Sequence, residues 1–266
     1  MSAIDLNARA SADFDAKLAR TLDVLRQAAA DHPGSVVQGT SLGAEDMVIT
    51  DLIARHQLPI ALATLDTKAL HDETVALIGR IESHYGVPVE VFSPPETAVI
   101  RFVSQHGPKA MYESVELRKA CCAVRKLEPL GRMMQGRDAW ITGLRREQSN
   151  DRASVEFVER EPNGRTKYAP LAEWTWGDVW HYIGLHQVPY NPLHDQFFPS
   201  IGCAPCTRAV AMGEDFRAGR WWWEQDGAKE CGLHVHESAP GAVSALRQPE
   251  PAAPAAPSSS FSPVNR

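Results

Sequence analysis

Residues Ser35 to Asp46 read SVVQGTSLGAED. Ser35 to Gln38 is a short apolar, β-branched run bounded by His32-Pro33-Gly34 on one side and Gly39 on the other, and it predicts a buried strand. Gly39 to Asp46 reads as a turn and Met47 to His56 as a helix. Hydroxyls, a glycine and exposed N–H groups between a strand and a helix suit a phosphate or sulfate. A plain helix N-cap at Thr40 or Ser41 accounts for the same residues, and the helix dipole alone accounts for an acid at Glu45. Outward from this stretch, Phe14, Leu18, Leu22, Leu25 and Ala29 recur at helical spacing, so an amphipathic helix precedes it. Ile60 to Leu65 and Val87 to Phe92 predict strands, with a helix from Thr74 to Tyr85 between them; Ala139 to Thr142 predicts a further strand and Glu173 to Leu185 a later helix. Strands alternating with helices of this length predict an α/β single domain with a parallel sheet flanked by helices. Ligands of such sheets bind beyond the carboxyl ends of the strands, where Thr64 to Thr67 forms a second candidate loop, capping being its simpler explanation.

Composition narrows the class. The 266 residues are 44% hydrophobic and 23% charged, enough for a substantial core. The N-terminus carries an early acid and no apolar h-region, so no signal peptide is expected. No stretch approaches ~20 apolar residues, so no membrane span is expected either, and the expected location is cytoplasmic. A net charge of -6 argues against general nucleic-acid binding. The oligomeric state stays open, a homo-oligomer included.

The five cysteines are grouped: Cys121-Cys122, Cys203 and Cys206 in a Cys-x-x-Cys, and Cys231 alone in Glu-Cys-Gly-Leu-His. One cysteine by itself reads as a small buried apolar residue. The odd count and the length of the chain argue against a disulfide framework. Four thiolates suit a soft metal or an iron–sulfur cluster, and a fifth can act as a nucleophile. Consecutive helical side chains point roughly 100° apart, unlike the paired motifs usual for zinc, yet spacing leaves zinc and [4Fe-4S] both open. Basic residues gather near the cysteines: Arg118 and Lys119, Arg125 and Lys126, Arg145 and Arg146, Arg217 and Arg220. Solvated faces are the common reading of such residues; clustered guanidinium groups also suit phosphate or sulfate.

Taken together, these segments resemble the assimilatory sulfonucleotide reductases, and among them the adenylyl-sulfate (APS) reductases. The resemblance runs through SLGAED (41–46), YESVELRKACCAVRKLEPL (112–130), ITGLRREQ (141–148), PLAEWTWGDVWHY (170–182), VPYNPLHDQFFPSIGCAPCTR (188–208), GEDFRAGRWWWE (213–224) and ECGLH (230–234), over roughly residues 35 to 234. It implies an adenine-nucleotide alpha-hydrolase-like, PP-loop-related fold and a [4Fe-4S] cluster on Cys121, Cys122, Cys203 and Cys206. It also implies the reaction: Cys231 attacks the sulfur of APS, AMP leaves, and reduced thioredoxin releases sulfite from a Cys-S-sulfonate. Relatives acting on 3′-phosphoadenylyl sulfate (PAPS) typically lack the cluster cysteines, so the full set favours APS, with PAPS as an alternative or additional substrate. By the same resemblance Ser41, Gly43, Asp46, Arg118, Lys126, Arg145, Arg146, Arg217 and Arg220 bind substrate, and His234 supports the chemistry, a plain loop histidine being an equal reading. Trp221 to Trp223 shelter the site or simply pack.

The chain departs from the wider pattern in two places. Its SLGAED lacks the SGGxDS of ATP-cleaving PP-loop enzymes, which disfavours an ATP-dependent sulfur-transfer enzyme. A zinc-stabilised nucleotide-binding module would leave ECGLH without purpose. Lys68 stands where many relatives place glycine. The expected organisation is an N-terminal helical segment packing on the core (1–34), a cluster-bearing α/β domain (35–224), a mobile segment with the catalytic cysteine (225–238) and a Pro/Ala/Ser-rich disordered tail (239–266). Only 35 residues follow Cys231, so thioredoxin is expected as a separate protein.

Overall fold

The computed structural model describes residues 1–149 and 152–224 of the 266. Strand β1 (Val36–Thr40) pairs in parallel with β2 (Ala61–Leu65) on one side and with β4 (Ala139–Ile141) on the other. Beyond β2 lies β3 (Val89–Phe92) and beyond β4 lies β6 (Thr166–Tyr168), both parallel. Strand β5 (Val158–Arg160) runs antiparallel to β6 and closes the edge, giving the order β3-β2-β1-β4-β6-β5. The expected parallel sheet is present, with one antiparallel edge strand added. Its reversal is a tight turn in which Gly164 takes φ +85° and the Glu161 N–H donates to the Arg165 carbonyl at 2.8 Å.

Both faces of the sheet are covered, as alternation along each strand requires. Val36, Leu62, Ala139 and Ile141 join the larger core with α2 (Phe14–Asp31), α3 (Ala44–Arg55), α4 (Asp72–Tyr85) and α8 (Trp176–His186). Their neighbours Val37, Ala63 and Trp140 face the other way, onto Met133 and Met134 at the end of α7 (Glu128–Met133). The N-terminal α1 (Ala3–Asn7) is closed by a Ser2–Asp5 capping box, and α5 (Glu96–His106) and α6 (Val115–Cys122) lead into α7. No helix among the described residues is long and apolar enough to cross a membrane.

Two boundaries near the quoted stretch differ from expectation. Strand β1 continues to Thr40, because Gly39 is there for space and not for turning: a Cβ on it would lie 3.3 Å from the Met133 methyl and 3.5 Å from the Trp140 ring. Helix α3 starts at Ala44, so Glu45 and Asp46 sit in its first turn. Buried Gln38 ties the two elements together: its amide donates to the Asp46 carbonyl at 2.8 Å, and it accepts from the Thr50 hydroxyl at 3.0 Å. Residues 225–238 and 239–266, expected as a mobile segment and a disordered tail, lie outside the described residues.

Candidate active site and cysteine cluster

Connections leave β1 and β4 in opposite directions across the sheet, toward β2 and toward β6. Such a switch point opens a crevice at the carboxyl ends of the two central strands. The loop after β1 and the loop after β4 meet there through Asp46. Its carboxylate accepts from the Ser41 N–H at 2.6 Å, the Ser41 hydroxyl at 2.6 Å and the Gly143 N–H at 3.0 Å. Burial pushes Asp46 up to about 6, against the lowering effect of those donors. Close approach also fixes Gly143, since a Cβ would stand 2.5 Å from the Asp46 Oδ1 and 2.9 Å from the Glu45 Cβ. Beside it, Glu45 accepts from Arg145 Nε at 3.0 Å and from the Gln148 amide at 2.9 Å. Arg145 is buried, donates further to Glu147 at 2.7 Å and to the Trp174 carbonyl at 3.2 Å, and lies over the Trp176 ring. Of the residues expected at the nucleotide, Ser41, Gly43, Asp46 and Arg145 therefore converge. Arg146 is directed elsewhere, to the Val155 carbonyl at 2.8 Å and Glu173 at 3.1 Å.

The paired cysteines end α6, and the chain continues as a π-helix over Ala123–Leu127 into α7. Pro129 explains the wider turn: it cannot donate to the Arg125 carbonyl four residues back, and its ring would clash with it. The Glu128 N–H instead reaches the Ala123 carbonyl, five residues back. On the other side, Cys203 and Cys206 flank a short 3₁₀ turn held by Cys206 N–H to the Cys203 carbonyl at 2.9 Å and by Ala204 N–H to the Ala69 carbonyl at 2.8 Å. Cys121, Cys203 and Cys206 are buried in one apolar cluster with Met111, Phe102 and Trp221, and Cys122 is partly exposed. None of the four is in a disulfide. Thr67, in the second strand-end loop, brings its hydroxyl to 3.2 Å from the Cys203 sulfur. Burial raises the Cys121 thiol and pushes Cys206 up to about 11, while Lys126 acts on both in the opposite sense. Metal ligation has to overcome that proton affinity.

The charged residues around the sulfurs have distinct placements. Arg118, 1% exposed, makes a two-pronged ion pair with Glu224 at 2.8 and 2.9 Å and stacks over Trp221. Arg125 donates to the Thr67 and Lys68 carbonyls at 2.9 and 3.3 Å. Lys68 takes φ +55°, which explains why glycine suits that position; here its ammonium pairs with Asp66 at 2.6 Å. Arg220 is buried against Gly202, where a Cβ would lie 2.3 Å from a guanidinium nitrogen, and Arg217 is half-buried nearby in sequence. Glu224, Gly202 and the sulfur-facing role of Thr67 were not legible in the sequence, because each is defined by a partner far away along the chain. Cys231 and His234 lie outside the described residues.

Orphaned donors test what the cysteines would hold. Arg220 Nε, Trp221 Nε1 and Trp223 Nε1 are buried without a hydrogen-bond partner among the described residues. Trp221 and Trp223 belong to the cysteine cluster, and Arg220 acts electrostatically on Cys206. Unpaired N–H groups packed among cysteines fit a sulfur-rich anionic cluster. A tetrahedral zinc site, with Zn–S bonds of about 2.3 Å, needs its sulfurs within about 4 Å of one another. Among the described residues no group of three or more His, Cys, Asp or Glu is placed to hold a single metal ion.

Residues 35–209 match the model of the phosphoadenosine phosphosulfate reductase domain. The chain belongs to this family. Among reductase-family relatives, the adenosine 5′-phosphosulfate reductase of Allochromatium vinosum is 55% identical over 212 residues, covering 79% of this chain and 83% of the relative. That of Burkholderia cepacia is 50% identical over 224 residues, covering 84% and 89%. In three dimensions the phosphoadenylyl-sulfate reductase of Candida auris, solved as a phosphate complex, aligns with a TM-score of 0.59 at 29% identity over 69% of this chain and 88% of that one. Candida glabrata FMN adenylyltransferase, with a TM-score of 0.51 at 12% identity over 84% and 80%, shares the fold alone. The sheet flanked by helices is therefore the nucleotide-binding fold expected for a sulfonucleotide reductase.

Proposed function

We propose that the chain is an adenylyl-sulfate reductase that converts APS to sulfite and AMP with electrons from reduced thioredoxin. The observation that carries this reading is the gathering of Cys121, Cys203 and Cys206 in one buried cluster with Trp221 and Trp223, with Cys122 adjoining Cys121, at the side of a nucleotide-type switch point. Cys121, Cys122, Cys203 and Cys206 would hold a [4Fe-4S] cluster, which when bound supplies local electrostatic stabilisation and rigidity, since both electrons come from the dithiol. Ser41, Gly43 and Asp46 shape the nucleotide loop. Lys126, Arg217 and Arg220 offer positive charge to the phosphosulfate and to the Cys231 thiolate, which lowers the pKa of that thiol.

The chemistry follows from the thiolate. Cys231 Sγ attacks the sulfate sulfur, the bond from that sulfur to the bridging phosphate oxygen breaks, and AMP departs with the electron pair. The enzyme then carries Cys231 as an S-sulfonate. A thioredoxin thiolate attacks the Cys231 Sγ, sulfite leaves, and the second thioredoxin thiol resolves the mixed disulfide, regenerating Cys231 as thioredoxin is oxidised. The relatives' names and the cysteine set favour APS over PAPS.

Anaerobic purification with iron analysis, followed by sulfite assays on APS and PAPS with reduced thioredoxin, tests this. About four irons per chain and turnover of APS are expected. A colourless, iron-free protein, or turnover of PAPS alone, overturns the assignment. Cys231→Ser should retain iron and lose sulfite release by a factor of at least ~10³, the scale seen when a nucleophile is removed.

A further inference from the structure

A cavity of about 320 Å³ lies between α1, α8 and the segment 194–216, and neither the cysteines nor the residues assigned above to substrate line it. Trp176, Trp180 and Phe216 wall it, with ring centroids 4.8 to 5.4 Å apart and edge-to-face geometry. His194, 6% exposed, lines it with its ring 5.2 Å from Trp180. Neither His194 nitrogen makes a well-formed hydrogen bond among the described residues, the Phe198 backbone offering the ring only a weak one. Trp180 Nε1 is likewise buried without a partner there. A buried polar atom left unpaired is costly, so three around one cavity are unusual for a purely structural core.

The lining says which ligand fits. Among the described residues no Lys or Arg lines the cavity, and Glu214 at its rim, ion-paired to Arg208 at 2.8 Å, adds negative charge. An anion such as APS, AMP or sulfite is disfavoured. Burial pushes His194 down to about 4, with Glu45 and Asp195 acting in the opposite sense, so at neutral pH the ring carries one N–H and one lone pair. Apolar side chains stand exposed at the mouth: Met212 is 97% exposed, and Phe197 is 53% exposed on a backbone held at φ +64°.

We propose that this cavity is a second ligand site, built for a neutral, flat heteroaromatic molecule that presents a hydrogen-bond acceptor beside a donor and carries no phosphate, sulfate or carboxylate. The aromatic walls take its faces, and His194 with the Trp180 indole N–H takes its polar edge. Its floor touches the reductase machinery indirectly: Trp176 also packs against Arg145, the partner of Glu45 in the strand-end loop.

Benzimidazole is the probe, titrated into the cluster-loaded full-length protein and followed by ligand-detected NMR. Saturable binding with a Kd on the order of 1 mM or tighter is expected for a ligand of this size. Indene, of the same shape without polar atoms, should bind about threefold to tenfold more weakly, the range of one net hydrogen bond. Trp180→Phe should weaken benzimidazole by the same factor, His194→Leu by more, and Ala211→Trp at the mouth should abolish binding without touching the core. AMP should leave the probe bound. Absence of saturable binding, equal affinity for indene, full binding by His194→Leu and Ala211→Trp, or displacement by AMP would each overturn the proposal. None of these outcomes depends on whether the protein reduces APS.

Discussion

Asp46 shows how one side chain can organise a site without being its reactive group. Two of its three donors, both from Ser41, hold the loop after β1 to itself, and the third, the Gly143 N–H, joins it to the loop after β4. Gly143→Ala is therefore expected to do more than a surface glycine substitution would. Its methyl would enter the space of the Asp46 carboxylate, and crowding of this kind costs about 1–3 kcal/mol. Urea denaturation should show that loss, and the KM for APS should rise more than kcat falls, because the nucleotide loop is displaced while the sulfurs are not. An unchanged KM would mean that the clamp is not part of the nucleotide site. At this scale the sequence was partly legible. SLGAED announced an anion-type loop, but the actual partner of Asp46 is an N–H 97 residues away, and no local pattern encodes that. The ion pairs of Arg145 with Glu45 and Glu147 could be seen only once Glu45 was known to lie inside the helix.

Among the elements, the π-helix after the tandem cysteines is the one on which the site depends most. It changes the phase between Cys121-Cys122 and α7, and it is the turn from which Arg125 reaches the Thr67 carbonyl. Pro129→Ala restores the missing donor and removes the clash. The expected result is an ordinary α-helical turn, with far-UV helicity equal or higher and iron content after anaerobic purification falling by more than half. Full iron content in this variant would show that the wider turn is incidental. The same feature explains where sequence reading ended. Strands β1 to β4 and helices α2, α3, α4 and α8 were legible because apolar residues recur with the period of their structure. Helices α6 and α7 were not, since a Cys-Cys pair, two basic residues and a proline interrupt any period. Strands β5 and β6, three residues each and largely polar, fall below the length at which alternation can be read.

Across the whole molecule, two buried groups titrate in opposite senses. Asp46 is raised from 3.8 to about 6, so its protonation favours the fold: that contribution is fully present below about pH 4 and is lost as pH rises to about 6. His194 is lowered from 6.5 to about 4, so its contribution is present above about pH 6.5 and is lost as pH falls toward 4. Each swing spans about two units, or about 3 kcal/mol, and over pH 4 to 6 they nearly cancel. Asp46→Asn should therefore make the protein more acid-sensitive than the parent, and His194→Leu less so. Melting temperatures at pH 4.5 and 6.5 relative to the parent check both signs, and parallel shifts in the two variants would refute the pairing. The Arg118–Glu224 ion pair acts at this scale too. It pins the chain seven positions before Cys231, so covalent reach alone keeps that cysteine within about 25 Å of the pin. Whatever path the intervening residues take, Cys231 acting as the proposed nucleophile would meet bound substrate as an intramolecular reagent at an effective concentration in the millimolar range or above. Cutting the pin would lower a local concentration, and the chemistry of the thiol itself would be unchanged.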